Sequence, residues 1–175
     1  MLAASDLLTG VASVVLTWQV ARNPKGQITS YSLFRGGRRC YSGLAFSFTD
    51  STVVPGQSYS YFLTASTSIG SVASVTVSVT VPEATPHGLS APALTTTGST
   101  SILVTWDVPT EPNGAITSYT LTVLSEAGMV TRPIGVRMNF LLEMLQPYMV
   151  YQVTVAACNR AACVTSASAQ VLNLS

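Results

Sequence analysis

The residues whose chemistry is most easily named are the three cysteines. Cys158 and Cys163 bracket Asn159-Arg160-Ala161-Ala162, at the end of one strand-like segment and the start of the next. A hairpin brings such positions to the Cβ separation of about 3.5–4.5 Å that a disulfide needs. Two reduced, half-buried thiols fit the same spacing. A zinc site needs two more ligands, and the only histidine, His87, sits far off in a proline-rich junction. Cys40 stands alone. It reads as a small hydrophobe on a strand, or as half of a bridge to a partner elsewhere in a longer chain or between chains.

No other spacing assembles a catalytic group. The acidic residues Asp6, Asp50, Glu83, Asp107, Glu111, Glu126 and Glu143 are scattered singly. There is no D-x-D calcium pattern, G-x-S-x-G, H-E-x-x-H or Gly-rich phosphate loop. Asp107 and Glu111 read as a solvated loop pair rather than metal ligands. No enzyme activity, cofactor, metal site or small-molecule substrate is expected. Only 9% of residues are charged, against about 25% in typical domains, and the net charge is +1. No domain-wide positive field exists to draw a phosphate backbone, so nucleic acid is not an expected partner. No apolar run reaches the 18 or so residues of a membrane helix, so no membrane insertion by this segment is expected. The first fifteen residues carry Asp6 and no basic stretch, so they do not read as a signal peptide. The chain reads as a segment of something longer.

Two surface features offer protein contacts. Arg35, Arg38 and Arg39 flank Gly36-Gly37 and would form a small basic hairpin tip. Such a tip protects an edge strand or meets an acidic glycan or carboxylate-rich protein. Asn159 and Arg160 lie at the tip of the Cys-bracketed loop, and Arg is favoured at binding hot spots. No Arg-Gly-Asp tripeptide occurs, and Asn173-Leu174-Ser175 is an N-glycosylation sequon.

The elements that must position these residues are strands. Residues 71–81 (SVASVTVSVTV), 151–157 (YQVTVAA) and 102–106 (ILVTW) alternate apolar with Ser, Thr or Gln, which buries one face and wets the other. Residues 139–145 (NFLLEML) are the one apolar run with helical potential. They are short and precede Pro147, so they read as a strand plus a turn.

The chain also repeats itself. Trp18 and Trp106 are 88 residues apart, and at that offset Pro24, Gly26, Ile28, Thr29, Ser30, Tyr31 and Leu33 recur as Pro112, Gly114, Ile116, Thr117, Ser118, Tyr119 and Leu121. Further on the offset is 92: Pro55, Tyr59 and Ala65 match Pro147, Tyr151 and Ala157. Each copy holds about seven strand-like segments, the pattern of a two-sheet sandwich. Trp18 and Trp106 read as core plugs, faced by Tyr31 and Tyr119. Pro24-Lys25-Gly26 and Pro112-Asn113-Gly114 read as turns. Val53-x-Pro55 with Tyr59, and Leu145-x-Pro147 with Tyr151, describe tyrosine corners, in which the hydroxyl bonds back to the turn backbone. Pro82 and Pro86 favour an extended, semi-rigid link between the copies, and hence a rod segment rather than a closed bilobed site.

Trp in the second strand, Tyr in the third and L-x-P-x-x-x-Y-x-V-x-V-x-A in the sixth resemble fibronectin type III domains, over both copies. An immunoglobulin domain would want a cysteine pair bridging its sheets, and neither copy has one. A narrower resemblance is to the fibronectin type III repeats of usherin. It rests on the hairpin at residues 33–43, on Phe48-Thr49-Asp50, and on the loop at residues 156–163, with Gly36 and Ala162 departing from the pattern. The resemblance implies an all-β chain of two tandem seven-stranded immunoglobulin-like sandwiches, residues 1–81 (its first strand possibly truncated) and 82–175. It implies a Cys158–Cys163 disulfide that clamps the loop between the last two strands. It implies a large extracellular protein of basement membranes or sensory-cell ankle links. The function expected is therefore a non-catalytic extracellular spacer and adhesion segment whose partners are matrix or cell-surface proteins. The alternatives are a receptor-type module that binds through the Cys158–Cys163 loop, and an intracellular scaffold of the sarcomeric kind.

Overall fold

Alternating sequence becomes strand throughout the computed structural model, which describes residues 2–9, 11–20 and 26–173; every regular element among them is a strand. The chain divides into two compact units, residues 1–82 and 83–175.

The first unit comprises β1 (Leu2–Thr9), β2 (Val11–Trp18), β3 (Ile28–Arg35), β4 (Arg38–Gly43), β5 (Ser47–Asp50), β6 (Ser58–Thr67), β7 (Ser71–Ala73) and β8 (Val77–Thr80). One sheet runs β1-β2-β5; the other runs β4-β3-β6, with both β7 and β8 pairing with β6. The second unit repeats the plan with β9 (Ala93–Gly98), β10 (Ser101–Thr105), β11 (Ser118–Ser125), β12 (Gly128–Gly135), β13 (Asn139–Leu142), β14 (Val150–Cys158), β15 (Cys163–Thr165) and β16 (Ala169–Leu172). Its sheets are β9-β10-β13 and β12-β11-β14, with β15 and β16 on β14. All pairings are antiparallel. Each unit is a two-sheet sandwich.

The repeated aromatics build the two cores. Trp18 and Tyr31 are buried with their ring centroids 6.1 Å apart, and Trp106 and Tyr119 repeat the pair at 5.7 Å. Leu16, Leu33 and Leu63 complete the first core; Val104, Leu121 and Val155 complete the second. Both tyrosine corners form. The Tyr59 hydroxyl accepts the Val54 N–H at 2.8 Å, and the Tyr151 hydroxyl accepts the Gln146 N–H at 2.8 Å. Pro24 and Lys25 lie outside the described residues. The matching turn in the second unit places Asn113 at φ 48° and Gly114 at φ 147°.

The last strand of each unit is broken, where the sequence of the first copy predicts one continuous strand over 71–81. Ser74 is the cause. Its N–H donates to the Leu63 carbonyl at 2.7 Å, while its Oγ accepts the Leu63 N–H at 3.0 Å and donates to the Val75 carbonyl at 2.7 Å. The side chain thus takes the place of a backbone acceptor and ends the ladder locally. Ser166, 92 residues on, does the same with Val155 and Ala167. Counting each interrupted strand once gives seven per sandwich.

Candidate protein-contact site

Cys158 ends β14 and Cys163 starts β15, and the two are direct cross-strand partners joined by a disulfide. The loop they close is held from within by Asn159. This residue is buried; its Oδ1 accepts the Ala161 N–H at 2.9 Å and the Ala162 N–H at 3.0 Å, and its Nδ2 donates to Ala84 O at 2.7 Å and Pro112 O at 3.1 Å. Asn159, expected at the tip as a contact residue, lies instead inside the loop. Its hydrogen-bonding capacity is spent inside the unit, tying the loop to the segment before β9 and to the β10–β11 turn.

Glu83 adds a second tie that the sequence did not single out. Its Oε2 accepts the Arg160 N–H at 2.9 Å and its Oε1 the Ala115 N–H at 3.3 Å. The carboxylate stem lies against Gly114 so closely that a Cβ there would sit 2.5 Å from Glu83 Cγ. Glycine is thus required for close approach as well as for its positive φ. Asn113 completes the cluster, its Nδ2 donating to Thr85 O at 2.9 Å and its carbonyl accepting the Ala84 N–H at 2.9 Å. Of the loop's two polar side chains, only that of Arg160 is exposed, and no carboxylate among the described residues lies within ion-pair distance of it. One free guanidinium is displayed on a loop fixed by a disulfide and two side-chain staples.

The basic hairpin of the first unit is divided by the fold. Gly36 at φ 53° and Gly37 at φ 83° form its two-residue turn, the geometry that demands glycine. Arg38 and Arg39 are exposed beyond it. Arg35 is not part of that tip. It donates to Asp50 Oδ2 at 2.7 Å and Thr52 Oγ1 at 2.8 Å, and its guanidinium lies 5.3 Å from the Tyr59 ring centre.

Asp50 is buried. It also accepts the Thr52 N–H at 3.0 Å, the Thr52 hydroxyl at 2.7 Å and the Tyr61 hydroxyl at 3.0 Å. Burial by itself raises the Asp50 carboxyl, but the Thr52 bonds, then Tyr61 and Arg35, outweigh it and hold the group below its ordinary value. Burial and the bond to Asp50 push the Tyr61 hydroxyl well above its ordinary range. Cys40 is half-buried with its thiol toward Leu33 O at 3.5 Å, and burial pushes that thiol up.

The sequon asparagine is fully buried. Asn173 Nδ2 donates to Ser99 O, its N–H donates to Met149 O at 2.9 Å, and its carbonyl accepts the Tyr148 N–H at 2.7 Å. Leu174 and Ser175 lie outside the described residues.

Residues 82–171 match the family model of the fibronectin type III domain. The chain belongs to the fibronectin type III family. Its usherin-like character is also shown. Human usherin is 35% identical over 167 residues, mouse usherin 36% over 167 and rat usherin 37% over 166, each alignment covering 90–91% of this chain. The chain spans about 3% of the length of these relatives. Among solved structures, the chicken CNTN1 FN1-FN3 domains match with a TM-score of 0.47 and 18% identity, covering 93% of this chain and 62% of that one. Fibronectin type III domains serve as structural and protein-interaction modules, and the two sandwiches present loops on a strand scaffold in the way such modules do.

Proposed function

We propose that this chain is a non-catalytic extracellular spacer and adhesion segment, and that its contacts with matrix or cell-surface proteins include the Cys158–Cys163 loop. The observation that carries this is the clamped loop itself. A disulfide persists in oxidising compartments and is rare in the cytosol, which favours a secreted or ectodomain location over an intracellular scaffold. Similarity to usherin supports the same reading. Pre-ordering by Asn159 and Glu83 lowers the entropy lost when Arg160 engages a partner. That pre-ordering also favours the narrower receptor-type reading, in which the loop recognises one defined ligand. Arg38 and Arg39 are a second candidate contact, on the first unit.

The test begins with protein secreted from a eukaryotic host and digested without reduction. A Cys158–Cys163 linked peptide with a reduction potential below about −300 mV marks a structural disulfide and supports an extracellular place. Arrays of matrix and cell-surface ectodomains then compare wild type with Arg160→Glu. Loss of a saturable interaction in that variant supports the loop as the contact. Free thiols in the native protein overturn the reading.

A further inference from the structure

The two units differ at one place where their backbones agree. On β3, Arg35 lies opposite Tyr61 of β6; on β11, Val123 occupies that position, opposite Val153 of β14. On β5, Asp50 lies opposite Val14; on β13, Leu142 takes its place, opposite Ile102. The corner tyrosines, Tyr59 and Tyr151, are retained. In the first unit the Arg35 guanidinium therefore covers the corner ring, held by Asp50. The second unit has lost both the long side chain and its counter-ion, and a cavity of 220 Å³ opens there, lined by Val123, Val130, Phe140, Leu142 and Tyr151, with Glu143 and Arg132 also in its lining. Small-molecule sites run to about 300–1,000 Å³, so this one is sized for a single side chain.

We propose that this cavity receives an arginine side chain presented by a partner protein, its stem against the apolar lining that includes the buried Tyr151 and its guanidinium beside the Glu143 carboxylate. The first unit holds a guanidinium at the matching place within the chain, 2.7 Å from a carboxylate. Charge favours the choice. The second unit carries three arginines against five acidic residues, a net −2. Glu143 has no ion-pair partner among the described residues. Arg132 stands on the β12 side and opposes a cation, so the guanidinium enters from the β13 side. Apolar walls receive the methylene stem. Met144, which also lines the cavity, is 94% exposed and held at φ 57°. The site is separate from the clamped loop. Tyr151 and Cys158 lie seven residues apart on β14, roughly 23 Å along the strand, and nothing in the proposal depends on the disulfide.

The experiment is a methyl and amide NMR titration of the whole chain with acetyl-arginine amide up to 100 mM. Acetyl-citrulline amide, acetyl-leucine amide and acetyl-aspartate amide are the comparators. Saturable shifts at Val123, Val130 and Leu142 are expected with the arginine probe, with citrulline about fivefold weaker, the weight of one exposed ion pair. Glu143→Gln weakens binding, Arg132→Gln strengthens it, and Val123→Arg abolishes it by filling the cavity from within. If Val123→Arg loses its dispersed spectrum, the two exposed variants carry the test. No saturable shift at 100 mM, citrulline or leucine binding as well as arginine, or a preference for aspartate overturns the proposal. Loss of the Arg160 contact leaves it standing.

Discussion

Arg35 and Asp50 meet at 2.7 Å across the first sandwich, with the Asp50 side chain 4% exposed, at the positions that Val123 and Leu142 hold in the second. One backbone plan thus carries a charged, hydrogen-bonded cluster in one copy and an apolar patch in the other. Removing one member of a buried pair strands the other charge, whereas replacing the whole set by apolar groups is often near neutral. Asp50→Ala is expected to cost the first unit about 3 kcal/mol. The triple change Arg35→Val, Asp50→Leu, Tyr61→Val, which copies the second unit, is expected to recover most of that loss. Urea unfolding followed by Trp18 fluorescence in a Trp106→Phe background checks both, since each unit holds one tryptophan. A triple variant no more stable than Asp50→Ala contradicts the account.

The same cluster gives the first unit a pH signature. Asp50 is held below its ordinary value, so its contribution is present above the unfolded carboxyl pKa, about 3.9, and is lost as pH falls through the lower native value. Tyr61 is held above its ordinary value. Its contribution is present below about pH 10 and is lost as pH climbs through the higher native value. The urea midpoint of the first unit is expected to fall on both sides of a neutral plateau. Asp50→Asn flattens the acid limb; an unchanged acid limb in that variant removes Asp50 as its source.

Much of this architecture was legible because repetition marks it. The paired tryptophans, the Tyr31 and Tyr119 partners and both tyrosine corners stand at matching offsets, and each position is a demand of the sandwich core. Where the copies diverge, or where a polar side chain folds back on its own backbone, the reading stopped short. Asp50 stood in the sequence only as one of the singly scattered acidic residues and the end of a Phe-Thr-Asp motif. Yet it shares the inward phase of β5 with Phe48, as Leu142 shares that of β13 with Phe140, and that phase was the available signal. Ser74 looked like one more polar residue in an alternating run, because its bonds to Leu63 are invisible to periodicity. Asn159 and Glu83 carry no local pattern at all. Their partners are up to 77 residues away in sequence, so only the closed fold shows them as staples.

Those staples separate two neighbouring residues by function. Asn159→Ala removes bonds to two loop N–H groups and frees the Ala84 and Pro112 carbonyls it caps. A cost of about 2 kcal/mol to the second unit is expected from so many part-buried groups left without a partner. Arg160→Ala, one residue on, is expected to change stability by no more than about 0.5 kcal/mol while weakening any partner held by the loop. Urea midpoints from Trp106 fluorescence check the first half, and ectodomain binding the second. Equal stabilities for the two variants contradict the division.

Breaking the clamp tests how much order the disulfide itself supplies. The closed loop is short, and chain entropy assigns it about 2 kcal/mol. Cys158→Ser with Cys163→Ser is expected to lower the stability of the second unit by that amount and to leave the strand amides of β11 and β14 protected. Exchange of the Asn159 and Ala162 amides is expected to rise only modestly, because Asn159 and Glu83 still hold the loop to the Ala84 and Ala115 backbone. Adding Glu83→Gln to the reduced-loop variant removes the charge from one staple, and exchange at Arg160 is then expected to accelerate further. Hydrogen-exchange mass spectrometry reads each step. Full exchange of the loop on loss of the disulfide alone shows that the covalent bond, and not the side-chain staples, orders it.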